Sequence, residues 1–149
     1  MRRGRSSSQP CTRGRSFTTV PPEGVSDSSN PWLTRAREDL QMAETLAAAS
    51  GPPWGICYHV QQAVEKVLKA LIVEADNDPP RTHNLLRLNA AIEPPVFGPG
   101  DEGPLASLAV WAVQQRYPAD QPEPTRSDAE EALDFGRRAL TDVERRRVG

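Results

Sequence analysis

The run from Ile56 to Ile72, which contains neither Gly nor Pro, constrains the fold more than any other part of the chain. At about 100° per residue, Ile56, Val60, Ala63, Val64, Val67, Leu68 and Leu71 fall on one broad arc, the pattern of a helix with one buried face. His59, Gln62, Lys66 and Lys69 fall opposite and form a polar stripe with spacings of three to four residues. Glu65 precedes Lys69 by four residues, the better orientation for an ion pair on a helix. Such a pair contributes only roughly 0.2–0.5 kcal/mol, so burial of the apolar arc should dominate. The helical pattern spans about Pro53 to Glu74. It stops at Asp76-Asn77-Asp78-Pro79-Pro80, because each proline disfavours the helical conformation of the residue before it.

The same reading places four more helices. Asn30-Pro31 is a helix start, with Asn30 as N-cap and Pro31 at the first helical position. Helix 1 runs from about Pro31 to Ala49, with Trp32, Ala36, Leu40, Ala43 and Leu46/Ala47 on its apolar face. Arg35, Arg37, Glu38 and Asp39 lie mostly off it. Ser50-Gly51-Pro52-Pro53 ends it, with Gly51 as the stop. After helix 2, a short helix 3 opens at Thr82 and covers Asn84 to Ile92, with Leu85, Leu86, Leu88 and Ile92 apolar. Glu93 to Gly103 is a Pro/Gly connection that cannot hold a helix. Helix 4 covers about Pro104 to Gln115 and ends at Arg116-Tyr117-Pro118. Helix 5 covers about Ser127 to Arg146, with Ser127 and Glu130 as a capping box and Arg145, Arg146 and Arg147 in its last turn. Period-two runs of β-branched and aromatic residues are missing, so no sheet is expected. The expected fold is all-α, an up-and-down bundle of four long helices plus one short one.

Composition divides the chain in two. Of 149 residues, 37 % are hydrophobic and 15 are Pro, which points to a part without a packed core. Residues 1–30 are rich in Arg, Ser and Pro and have no periodicity, so they read as a disordered tail ahead of a helical bundle at 31–147. Residues 1–22 carry five Arg and no acid. The remaining thirteen Lys and Arg face all twenty Asp and Glu, a net of −7. An acidic bundle argues against a broad electrostatic grip on nucleic acid, though not against a local basic pocket. The tail lacks the apolar core of a secretory signal, and its Arg/Ser-rich composition is also that of a transit peptide. No apolar run approaches the roughly 20 residues needed to cross a bilayer. Cys11 and Cys57 lie in the tail and in a helix, so neither a disulfide nor a zinc site is expected, and a cytoplasmic setting follows.

Four groups of residues carry a resemblance. Helix 1 shows Ala36-x-x-Asp39-Leu40-x-x-Ala43. Helix 2 shows Tyr58-His59-x-Gln61-Gln62-Ala63-x-Glu65-Lys66-x-Leu68-Lys69-Ala70-Leu71. Helix 3 opens with Thr82-His83-Asn84-Leu85, and helix 4 ends in Arg116-Tyr117-Pro118 followed by Asp120. Over roughly residues 32–146 the chain resembles the HEPN domain, a small all-α family linked to nucleotide binding. The resemblance implies a bundle that dimerises and an association with nucleotides or RNA. It also implies pairing with a minimal nucleotidyltransferase as one half of a toxin–antitoxin couple. Ribonuclease members of the family share an Arg followed four to six residues later by His. Here His59 has no Arg at that distance and His83 has Arg81 only two residues before it. The catalytic residues of that branch do not carry over.

Candidate site residues follow from chemistry as well as resemblance. His59 and His83 are the candidate acid–base groups, because only imidazole titrates near neutral pH without perturbation. Gln62, Lys66, Lys69, Arg81, His83, Arg116 and Tyr117 are the candidate ligand contacts. Lys and Arg hold phosphate, and Tyr stacks on a base. The bland alternatives are that the helix 2 stripe is a solvated face, that Thr82 with His83 caps helix 3, and that Arg116 satisfies the last carbonyls of helix 4. Trp32, Trp54 and Trp111 read as core or interface residues. No Gly-rich phosphate loop, nucleophile elbow or metal-ligand spacing occurs, so no metal and no cofactor is assigned. The leading expectation is a nucleotide-associated partner subunit, dimeric, with a pocket between helices 2 and 4. A metal-independent ribonuclease and a purely structural helical interaction module are the alternatives.

Overall fold

The computed structural model of the chain describes residues 30–114 and 122–148. Its helices are α1 (Pro31–Ala48), α2 (Pro53–Glu74), α3 (Leu85–Ala90), α4 (Glu102–Gln114) and α5 (Arg126–Val148), with a 3-10 turn at Pro99–Asp101 leading into α4. The architecture is the expected all-α one: four long helices and one short one, with no strand among the described residues. The tail expected at residues 1–30 lies, but for Asn30, outside the described residues.

α2 is the centre of the bundle. It packs against α1, α3, α4 and α5, and every residue of its apolar arc is buried. Leu33, Ala36, Leu40 and Ala43 of α1 close over one side of it. Ala129, Ala132, Leu133, Phe135, Ala139 and Val143 of α5, with Leu105 and Leu108 of α4, complete the core. Contact with α5 is close because Gly136 is buried there: a Cβ at that position would sit 3.0 Å from Val60 Cγ1 and 3.3 Å from Leu40 Cδ1. Any larger side chain would push α5 off both neighbours.

The helix ends show which local signals were read correctly. Asn30 caps α1 as expected, its Oδ1 accepting from the amides of Trp32 (3.1 Å) and Leu33 (3.4 Å). Its Nδ2 donates to Ala70 O and Glu74 Oε2, which ties the start of α1 to the end of α2. At the end of α1 the left-handed residue is Ser50 (φ 56°), not Gly51. Gly51 is required one position later, where its amide donates to Leu46 O at 2.7 Å and a Cβ would meet Leu46 at 3.0 Å. α2 ends in the same motif, with Asp76 left-handed (φ 61°) and Asn77 N donating to Ile72 O. Helix termination there is thus complete before the prolines.

Three expectations change. α3 begins at Leu85 rather than Thr82, because the cap is Asn84, whose Oδ1 accepts from Arg87 N at 3.0 Å. Thr82 Oγ1 instead accepts from Asn84 N. α5 begins at Arg126, and its capping box is Thr125 with Asp128: Thr125 N donates to Asp128 Oδ2 and Asp128 N to Thr125 Oγ1. Ser127 is the second residue of the helix, so the Ser127–Glu130 pair lies inside it. α4 begins at Glu102, where Gly103 and Pro104 are tolerated because first-turn amides have no helical partner. The preceding connection is held by buried Asn89, which bonds Val96 N, Phe97 N and Phe97 O and seats Phe97 against Phe135, ring centroids 5.1 Å apart.

Candidate functional site

The polar stripe of α2 is not a solvated face. It faces α1 on one side and the Pro80–Asn84 turn on the other, and two buried carboxylates organise it. The first is Asp39 of α1, which the apolar pattern leaves off the packing face but which is buried. α1 lies against His59 and Lys66, two helical turns apart on α2, and both reach Asp39. His59 Nδ1 is 3.2 Å from Oδ1, and Lys66 Nζ donates to Oδ2 at 2.5 Å. A carboxylate this far from water is tolerable only when its oxygens are met by donors.

The second is Glu65, only 4 % exposed. Lys69 Nζ donates to its Oε1 at 2.9 Å, while Oε2 accepts from Gln61 Nε2 at 3.2 Å and meets His83 Nδ1 at 2.9 Å. Burial pushes the Glu65 carboxyl up, but the hydrogen bonds and charges of Lys69 and His83 outweigh it and hold the carboxyl below its usual value. Gln62 Nε2 donates to Gln61 Oε1, which extends the network one residue outward. Lys69 is itself buried and lies over the Trp32 ring, 5.3 Å from its centroid. The Glu65–Lys69 pair, expected from its spacing to contribute little, is an interior ion pair.

Each imidazole turns Nδ1 toward a carboxylate. An ionised carboxylate only accepts, so Nδ1 carries the proton and Nε2 is left as the outward atom. His83 combines two properties that rarely coincide: its side chain is 71 % exposed, yet a buried carboxylate fixes its ring. It does not cap α3; it pins the α2–α3 turn to the centre of the bundle. His59 is more enclosed, with Tyr58 edge-on to it at 5.4 Å.

The candidate ligand contacts separate by environment. Lys66 and Lys69 are committed to carboxylates, and Gln62 to Gln61. Arg81 and Arg87 are exposed, and neither side chain has a hydrogen-bond or ion-pair partner among the described residues. The other Lys and Arg side chains of the described residues are engaged by carboxylates or carbonyl oxygens, Arg126 for example by Gly51 O and Arg138 by Asp101. Uncommitted positive charge therefore flanks His83 in sequence, two residues before and four after. Arg87 escaped the sequence reading because it looks like any polar residue of a short helix; only its lack of a partner marks it. Arg116 and Tyr117 lie outside the described residues, and so does the wall they were expected to give a pocket between helices 2 and 4. A groove of 580 Å³ opens instead between α4 and α5. Cys57 has no chemical role here: burial, with the charge of Asp128, pushes its thiol up to about 12.

Among the described residues no His, Cys, Asp and Glu group could hold a metal ion, and no helix is long and apolar enough to cross a membrane. A family model described as HEPN domain matches residues 29–146. The crystal structure of TT1696 from Thermus thermophilus is similar at 31 % identity and a TM-score of 0.66, covering 77 % of this chain and 94 % of that one. The structure of ST0689, an archaeal HEPN homologue, shares the fold at 24 % identity and a TM-score of 0.57, covering 78 % and 94 %. No curated protein matches the chain.

Proposed function

The chain belongs to the HEPN domain family, and from that premise we propose that it is a nucleotide-associated binding subunit. In this reading it forms a homodimer and serves as the HEPN half of a nucleotidyltransferase-type toxin–antitoxin pair, with its phosphate contact at the corner formed by Arg81, His83 and Arg87. The observation that carries this is the pairing pattern. Arg81 and Arg87 have no partner among the described residues, and between them in sequence stands an imidazole locked by Glu65. Unspent guanidinium groups beside a ring held in one orientation suit a phosphate oxygen. Lys66 and Gln62 border the same α2 face, and Arg116 and Tyr117 complete the proposed set of ligand contacts. Exposed Met42 and Trp54, both half in water, supply apolar surface for a second copy.

The test is binding of ATP and of a short single-stranded RNA to wild type and to the Arg81→Ala/Arg87→Ala double variant. Each charge-assisted hydrogen bond lost costs about 1.5–3 kcal/mol, so affinity should fall by roughly tenfold or more per contact. No thermal shift of wild type by either ligand, or equal affinity of the double variant, would sink the reading.

The carboxylate–imidazole pairs favour a second reading, a metal-independent ribonuclease. A ring oriented through Nδ1 presents Nε2 for proton transfer to or from a ribose hydroxyl. Under this reading His83→Ala lowers RNA cleavage by about 10²–10⁴-fold. Cleavage equal in the variant and in wild type would assign the observed activity to a contaminant.

A further inference from the structure

The groove between α4 and α5 belongs to none of these roles. Leu108 and Trp111 of α4 and Phe135 of α5 form its apolar floor; Asp128, Glu131 and Asp134 stand along its α5 side, and Arg138, held by Asp101, closes one end over the Phe135 ring. These carboxylates recur every three residues, so they form a rail about 9 Å long at 1.5 Å per residue. Glu131 is exposed and has no partner among the described residues. The floor is aromatic and the rail is negative, which suits a segment carrying arginines beside an aromatic side chain.

We propose that the occupant is this chain's own segment Arg13-x-Arg15-x-Phe17. Charge complementarity is the first reason: residues 1–22 carry five Arg and no acid, while the rest of the chain is net −7. Spacing is the second. In an extended segment, positions two apart share a side, so the two guanidinium groups and the Phe ring fall on one face. The guanidinium groups meet the rail and Phe17 meets the floor. Reach is the third. Asn30, the first described residue, shares Glu74 with Arg147 at the end of α5. From Arg147 back to Phe135 is about 18 Å along the helix at 1.5 Å per residue. The twelve residues from 18 to 29 span up to about 40 Å. The tether therefore reaches the groove with slack and holds the segment there at high effective concentration.

Cys11 provides the probe. Cys57 is buried with its thiol pushed up to about 12, so a thiol-reactive nitroxide attaches at Cys11 of the full chain. The expected result is broadening of amide signals at Ser107–Trp111 and Glu131–Phe135 in low salt. It should fade in 0.5 M NaCl, which screens exposed charges beyond about 4 Å, and in the Glu131→Lys/Asp134→Lys variant, whose changes lie on the exposed side of α5. Broadening that is absent, spread evenly over the surface, or unchanged by charge reversal would overturn the proposal. So would broadening of isotope-labelled chains by separately spin-labelled ones, which would give the groove to a second copy.

Discussion

Replacing Glu65 by Ala lowers the free energy of unfolding by about 3–5 kcal/mol, the cost of leaving a buried charge without its partner. Lys69 is 8 % exposed and has Glu65 as its carboxylate; the Trp32 face cannot replace a full negative charge. Gln61 and His83 lose an acceptor in the same change. Urea unfolding of the two proteins at neutral pH measures the difference. A companion variant separates charge from packing: Glu65→Leu with Lys69→Met removes both ions and should recover most of the loss, because a hydrophobic pair of similar volume is often as stable as a buried ion pair. A loss below about 1 kcal/mol for Glu65→Ala would mean that Lys69 reaches water and that the network is a surface feature.

The same carboxylate gives the protein an acid limit. Its value in the folded state lies below that of the unfolded chain, so the unfolded state binds the proton first. The stability it contributes is fully present above the unfolded value of about 4.3 and is lost as pH falls through the lower folded value. Glu65→Gln should therefore flatten the decline of stability below about pH 4.3.

Truncating Leu68 to Ala destabilises the protein by about 2.7–5 kcal/mol, through lost transfer free energy plus the cavity left behind. Leu68 is fully buried in the middle of α2, the helix against which the other four pack. Collapse of the site is hindered from every side. Leu86 is the control. It belongs to the same apolar reading of the sequence but stands 41 % exposed on α3, and Leu86→Ala should change stability by less than about 1 kcal/mol. The measurement is the urea midpoint at constant m-value. Equal losses at the two positions would show that α3 is buried in an assembly, the outcome expected if that face meets a partner.

Glu65 and Leu68 mark the boundary between what was legible and what was not. Periodicity picked out the arc of α2 that includes Leu68, and the residues on it are buried, because an amphipathic helix this long has one way to hide its apolar side. Asn30 was legible as a cap for the same local reason. Caps nearer weak signals were misplaced by one turn or less: Asn84 for Thr82 and Thr125 for Ser127, where several capping residues crowd together and only packing selects among them.

The candidate site was legible in part of its membership and not in its connections. His59, Lys66, Lys69 and His83 were singled out by type and spacing, and the i,i+4 relation of Glu65 to Lys69 was read from the helix alone. Nothing in α1 says that Asp39 turns inward, because its partners stand twenty and twenty-seven residues away on another helix. Nothing near His83 says that it answers to Glu65 across the turn. By itself the sequence determined the helices, their order, the buried arc of α2 and the family, all consequences of periodicity and local backbone preference. Only the tertiary structure decided which charges are spent and which remain. Burial and pairing depend on what packs against a residue, and that neighbour is set by the fold.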